Sequence, residues 1–405
     1  MKKLTLFIAA VFMLCSCGGQ PETKASVTTT VQTTATHTTA ASETTTVPIA
    51  EALTETTIPE PESASVNIVC AGDNLIHSPL YNQAKRRTDD RSYDFMPAYE
   101  NVAEYIREAD LAILNQETII SDDYEPSNFP YFCSPTDLAH DMIELGFDAI
   151  SISNNHCLDK GEEGLVSTLD FWSNIYPDIP VYGAYKNKAD MNNIRILEIN
   201  GITFAFLGYM EHTNGLYLPE GAECELTYMH ETELIEKQVK RAAEIVDCVI
   251  VSVHFGVEVS NTVTQQQYDF SQLLADWGAD IIIGTQPHTI QTMEYLACED
   301  GRQSFVFYCL GNFISAMDRA SSMVEMLGRI TVTKNMKTGE ITLSDANAVP
   351  LINNYDYNYQ NVRIYPFSEY TEELASKHGC TGTSYKYFEK LISENIPAEY
   401  LYSND

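Results

Sequence analysis

From Val66 onward the chain alternates short β-branched apolar runs with longer amphipathic stretches, the pattern of an α/β domain with an at least partly parallel sheet. The runs that read as strands are 66–71, 111–115, 149–153, 248–253, 280–283 and 304–310, with further strands at 194–198, 202–207 and 329–333. Two intervening helices carry end signals. Ser134 reads as the cap of one, with Pro135 in its first turn, Leu138, Met142 and Leu145 on its buried face, and Gly146 ending it. Thr264 with Gln267 has capping-box spacing for the other, and Phe270, Leu273, Leu274 and Trp277 follow at i, i+3, i+4 and i+7.

Polar residues that are costly to bury fall where five of these strands end: Asp73, Glu117, Asn155 with His156, His254, and His288. In open α/β sheets ligands bind at the carboxyl edge, where loops from separate strands converge, so this registry predicts a shared site. Taken singly, each residue has a plain structural reading. Asp73 after Gly72 suits a turn or helix cap, Glu117 a solvent-facing loop, Asn154-Asn155-His156 a satisfied turn, and His254 a core histidine. Taken together they are a donor set, because carboxylates, an amide carbonyl and imidazoles all ligate divalent cations. His156 in addition could protonate a leaving oxygen.

The N-terminus reads as an export signal, with Lys2 and Lys3 ahead of an apolar run, Leu4 to Leu14, that is short for a membrane span. Leu14-Cys15-Ser16-Cys17 resembles a bacterial lipobox, in which Cys17 is the lipidation site; an uncleaved anchor is the alternative. Two acyl chains suffice for stable anchoring. Residues 18–65 form a Thr-rich linker without aromatic residues or periodicity, a composition that cannot bury enough surface to order itself. As a coil of about 45 residues it would span roughly 35 to 40 Å. The expected division is therefore a signal peptide at 1–17, a disordered tether at 18–65, a folded domain at 66–350 and an extension packed on it at 351–405. A formal charge of −33 speaks against nucleic acid as a partner. Cys70, Cys248 and Cys309 lie in strand-like runs and no CxxC spacing occurs, so neither a disulfide framework nor a cysteine-ligated metal is expected. The Tyr- and Asn-rich stretch 353–365 reads as packing against the domain, with stacking on a polymer as the alternative.

Gly72-Asp73-Asn74-Leu75-Ile76-His77, Asn115-Gln116-Glu117, Asn154-Asn155-His156 with Asp159 and Gly161, His254-Phe255-Gly256 with Glu258, Gly284 to His288, and Leu310-Gly311-Asn312-Phe313 occur in that order. This ordered set resembles the bacterial capsule synthesis protein CapA family, which includes poly-γ-glutamate capsule proteins, across roughly Val66 to Val349. The resemblance implies an α/β fold, a two-sheet metallophosphoesterase-like sandwich flanked by helices and preceded by the tether. It implies Asp73, Glu117, Asn155, His254, His288 and Gln286 as ligands of one or two divalent ions, Mn²⁺, Fe²⁺ or Zn²⁺. His156, Asp73 and His254 would carry any catalysis.

Two positions depart from the phosphoesterase pattern. The opening Asp-x-His is here Asp73-Asn74-Leu75, and the usual His-Pro-His is Gln286-Pro287-His288. A Gln carbonyl is a weaker ligand for transition metals than imidazole, which implies one loosened metal position, and His77 is the replacement within reach along its loop. The implied function is a cell-surface lipoprotein on the outer face of the cytoplasmic membrane, acting in capsule or poly-γ-glutamate biosynthesis or export. Its implied partners are the membrane, capsule-synthesis membrane proteins, and an anionic polymer or phosphoester substrate. The alternatives are a non-catalytic polymer-handling or scaffold subunit and a surface metallophosphoesterase unrelated to capsule.

Overall fold

The computed structural model describes residues 62–89 and 92–403, so the export signal, Cys17 and most of the Thr-rich linker lie outside the described residues. In chain order the strands are β1 (Ser63–Asn74), β2 (Leu111–Asn115), β3 (Ala149–Ser151), β4 (Val181–Tyr182), β5 (Ala184–Tyr185), β6 (Arg195–Ile199), β7 (Ile202–Met210), β8 (Glu225–Leu226), β9 (Cys248–His254), β10 (Ile281–Thr285), β11 (Met293–Ala297), β12 (Gln303–Phe307), β13 (Asn312–Ile314), β14 (Val324–Asn335), β15 (Ile341–Asp356) and β16 (Gln360–Pro366). One sheet runs β16-β15-β14-β1-β2-β3-β4, with β13 also on β1, and a second runs β11-β12-β10-β9-β7-β6; β5 and β8 form a small pair.

In the first sheet β1 to β4 are parallel, and in the second β7, β9, β10 and β12 are parallel. The period-two alternation of side chains sorts the second sheet into two buried faces. Phe204, Phe206, Ile250, Ile281, Ile283, Phe305 and Phe307 join Ile68, Cys70 and Ile113 of the first sheet in one core. Their neighbours Ala205, Leu207, Val249, Val251, Val253, Ile282 and Val306 form another, packed against Ile235 and Val239 of helix Thr232–Ala243 and Phe270 and Leu274 of helix Gln265–Trp277. Leu138, Met142, Leu145, Leu165 and Trp172, from helices Asp137–Leu145 and Gly161–Ile175, belong to the same connected core as the first sheet. The expected α/β two-sheet sandwich flanked by helices is the architecture found.

The expected strands are all present, with shifted ends. β1 begins at Ser63, where Ser63, Ala64 and Ser65 pair with Asn335, Lys334 and Thr333, so the last residues assigned to the tether belong to the sheet. The expected boundary at residue 350 falls inside β15, and β16 pairs with β15, which makes the start of the expected extension part of the first sheet. Ser134 does not cap its helix. Its hydroxyl bonds the Thr118 hydroxyl at 2.7 Å, Pro135 precedes the helix, and the first turn is anchored by Asp122, whose carboxylate accepts from Thr136 N at 3.0 Å. The Thr264–Gln267 capping box forms, but Leu273 is 40% exposed because Ser271 and Ala275 occupy the buried side of that helix. Eight cysteines among the described residues are buried free thiols.

Asp141, partly buried on helix Asp137–Leu145, accepts a hydrogen bond from Phe95 N at 2.7 Å. Burial pushes its carboxyl up to about 6, with Asp94 adding to the shift. The folded chain therefore holds this proton more tightly than the unfolded chain, whose value is about 4, and stability from this group is lost as pH rises through 6. Asp141→Asn keeps an acceptor for Phe95. We expect it to stabilise the protein by about 1 kcal/mol at pH 7, after allowance for solvent screening, and to make little difference at pH 4. Urea unfolding of both proteins at the two pH values checks this.

Candidate metal centre

Asp73 is placed by a close backbone approach. A Cβ on Gly72 would lie 2.0 Å from Gly311 O, so only glycine lets the loop after β12 lie against β1, where Gly311 O accepts from Asp73 N at 3.0 Å. The Asp73 carboxylate accepts from Asn115 Nδ2 at 2.7 Å and from Gln286 N at 3.3 Å. It also faces both imidazoles, with Oδ2 3.1 Å from His288 Nδ1 and Oδ1 3.7 Å from His254 Nδ1.

Glu117, two residues past Asn115 at the end of β2, is 1% exposed, and neither of its oxygens has a hydrogen-bond partner. Its Oε1 lies 3.6 Å from His254 Nε2 and 3.8 Å from His288 Nε2, too long for hydrogen bonds but close enough for one cation to join all three. Asp73, Glu117 and His288 have ligand atoms within 4.8 Å of one another, a group able to hold a metal ion.

The remaining sequence-selected residues close around this group. His254 Nε2 is 3.1 Å from Asn155 Oδ1, and its Nδ1 is 2.8 Å from Thr285 Oγ1. Gln286, with φ of 98°, leaves Oε1 buried and without a partner while Nε2 donates to Glu258 at 3.4 Å. The ring of His156 is fixed by Asp159, whose Oδ2 lies 2.7 Å from Nδ1 and also accepts from Phe132 N at 2.6 Å. An Nδ1–H held in this way leaves Nε2 for proton transfer.

His77 is not brought into the cluster as a replacement ligand. Its Nδ1 accepts from Ala316 N at 3.2 Å, and its ring lies edge-on to Phe132, whose ring also meets His156. Leu75, at the position of the missing imidazole, is buried, and Asn74 turns its amide to Gln116 and its carbonyl to the Tyr99 hydroxyl.

Burial opposes ionisation of Asp73, yet the bond from His288 and the charge of that ring hold it below the ordinary carboxylate range. Burial and then Asp73 push Glu117 well above its range. His288, despite burial, is raised to about 10 by Glu117 and Asp73. Burial takes His254 down to about 3. Protons thus occupy positions that a divalent cation would neutralise equally well, and the orphaned oxygens of Glu117 and Gln286 fit such an ion.

Sequence reasoning missed three contributors. Asn312 Oδ1 accepts from His288 Nδ1 at 3.0 Å, Thr285 orients His254, and Glu325 lies beneath Asn312. Asn312 stood inside a quoted motif without a role. Glu325 had a signal of its own, an acid inside the apolar run Val324 to Leu327.

The bacterial capsule synthesis protein model PGA_cap matches residues 67–317. The chain belongs to that family. Capsule biosynthesis protein CapA of Bacillus anthracis is 30% identical over 176 residues, 42% of this chain and 41% of that protein. PGA biosynthesis protein CapA of Bacillus subtilis (strain 168) is 26% identical over 214 residues, 52% of this chain and 54% of that one. The chain thus spans about half the length of the curated relatives it matches. Similar solved structures include a phosphatase from Mycoplasma pneumoniae, at 14% identity and TM-score 0.43, covering 71% of this chain and 94% of that one. A putative 5′-nucleotidase from Staphylococcus aureus aligns at 14% identity and TM-score 0.44, covering 71% and 54%.

Glu117→Gln tests the centre directly. Wild-type protein at Mn²⁺ one hundred times above Kd should gain about 2.7 kcal/mol of stability. The variant should be no less stable without metal and should lose that gain, as thermal unfolding with and without Mn²⁺ will show. An undiminished gain would remove Glu117 from the centre.

Proposed function

We propose that this capsule-family chain is a surface lipoprotein acting in capsule or poly-γ-glutamate biosynthesis or export through a divalent-metal-dependent, hydrolase-like centre. The observation that carries the reading is the pair of unpartnered Glu117 oxygens facing Nε2 of both His254 and His288 in a buried site. The names of the two relatives supply the biological direction.

Asp73, Glu117, His254 and His288 would hold the ion, with Asn155 and Gln286 adding neutral carbonyl oxygens. One ion or two of Mn²⁺, Fe²⁺ or Zn²⁺ would suit these donors. When bound, the metal supplies an acidified water and a clamp for a phosphoryl or carboxyl oxygen. His156, held by Asp159 through Nδ1, delivers a proton from Nε2 to the leaving oxygen or nitrogen. Asn115 and Gln286 N keep the Asp73 carboxylate turned into the site. Phe132, 1% exposed and edge-on to His156, shields that imidazole from bulk water.

The charge of −33 repels an anionic polymer at long range, so such a substrate requires the positive charge of the ion at the site itself. The membrane, through Cys17, and membrane-bound capsule-synthesis proteins are the proposed partners.

Purified protein should contain at least one transition-metal ion per chain by elemental analysis. His254→Ala should lose that metal and the hydrolysis of model phosphodiesters or γ-glutamyl amides. His156→Ala should keep the metal while turnover drops about 10²- to 10⁴-fold. Wild-type protein that neither contains nor takes up metal would end the metal-centre reading. A His156→Ala strain with normal capsule would shift the role to polymer handling without catalysis.

Cys17→Ser should move the protein from the membrane fraction to the soluble exported fraction and abolish labelling by a fatty-acid analogue. Unchanged labelling would place lipidation elsewhere.

A further inference from the structure

Glu325 lies on β14 with no exposed surface, flanked by Val324 and Met326. Its Oε2 accepts a hydrogen bond from Asn312 N at 2.5 Å, and its Oε1 is buried without a partner. A carboxyl group there costs stability, since apolar side chains would suit its neighbours. Two contacts link it to the metal centre. Gly311 has φ of 77°, and a Cβ on it would lie 2.2 Å from Glu325 Oε2, so the carboxyl forms the floor on which this turn rests. The same turn presents Gly311 O to Asp73 N and Asn312 Oδ1 to His288 Nδ1.

We propose that Glu325 is a positioning residue for the metal centre, acting through Gly311 and Asn312 to place Asp73 and to hold His288 with its proton on Nδ1 and its Nε2 towards Glu117. The inference rests on reading this cluster as a metal site. Partners that orient a ligating imidazole through its second nitrogen typically change metal affinity about 10- to 100-fold when removed. Glu325 stands one step further out, holding the orienting group itself. Burial keeps its carboxyl well above the ordinary range, so the group is a neutral acid and a glutamine can stand in for it.

The test compares the full chain with Glu325→Gln, Glu325→Met, Glu325→Asp, Asn312→Ala and the Glu325→Asp/Asn312→Ala pair. Mn²⁺ affinity is measured by calorimetry, and the hydrogen bond from His288 Nδ1 to Asn312 is read from the His288 Nδ1–H resonance in ¹⁵N-histidine NMR of metal-free protein. Glutamine keeps an acceptor for Asn312 N and should preserve both the affinity and the Nδ1–H signature. Methionine removes the acceptor, and aspartate withdraws it by about 1.5 Å. Both should weaken Mn²⁺ binding about 10- to 100-fold and shift the His288 Nδ1–H resonance. The double variant should bind no more weakly than Asn312→Ala, as expected when one residue acts through the other. Should the methionine variant fail to fold, the aspartate variant decides.

Wild-type affinity in Glu325→Asp, equal losses in the glutamine and aspartate variants, or additive losses in the pair would overturn the proposal. If the wild-type protein binds no Mn²⁺, the metal reading fails separately. The His288 Nδ1–H resonance then decides the role of Glu325, and an unperturbed His288 spectrum in Glu325→Asp would overturn it.

Discussion

A carboxyl group sealed from water with no hydrogen-bond donor on either oxygen is among the least favourable things a protein interior can contain, and Glu117 is in that position. Its surroundings are arranged about it. Two imidazoles bring Nε2 to within 3.6 and 3.8 Å of the same oxygen, and a second carboxylate, Asp73, is close enough to raise its proton affinity further. Repulsion between the two acids alone would disperse them. What keeps them together is that each is held from behind, Asp73 by Asn115 and two backbone segments, and the imidazoles by Thr285 and Asn312.

The two sheets divide this task. The first provides Asp73, Glu117, Asn155 and His156 from the carboxyl ends of β1, β2 and β3, and the second provides His254, Gln286 and His288 from β9 and β10. A sliding of one sheet over the other by an ångström or two would separate the side chains that opposite sheets bring together. The core of Phe204, Phe206, Phe305 and Phe307 against Ile68 and Cys70 resists such movement by dense packing. The chain also crosses between the layers, since β12 belongs to the second sheet and β13, five residues later, pairs with β1 of the first. That crossing is made by the turn containing Gly311, so the connection joining the sheets is also the one that positions Asp73 and His288.

The parts of the fold that could be read from sequence were those whose physics is local. β9, β10 and β12 are buried on both faces and appear as unbroken apolar runs, and the Thr264–Gln267 box caps its helix from residues three apart. β15 escaped because it carries Asp345, Asn347, Pro350, Asn353 and Asn354, residues that disfavour strands, and is held by pairing with β14 over most of its length. Asn353 and Asn354 are tolerated in the interior because Ser315 O accepts from one and the Tyr370 hydroxyl donates to the other, partners far away in sequence. The polar positions that meet in the cluster were legible because each is an expensive residue at the end of an apolar run. Their supports were not, since a threonine, an asparagine and a glutamate acquire their roles only when the sheets meet.

The two histidines at the centre show how much of its chemistry comes from these supports. His254 has neutral partners on both nitrogens, Thr285 Oγ1 and Asn155 Oδ1, and burial therefore keeps its ring uncharged. His288 lies between Asp73 and Glu117, and the two acids outweigh the same burial and keep it protonated. His254 carries its one proton on Nε2, donated to the Asn155 carbonyl oxygen, so ligation through Nε2 would require that proton to move, and His288 would have to release its own. The groups orienting Asp73, His254 and His288 lie behind those side chains, so an ion held here would take the place of protons without calling on a new set of supports.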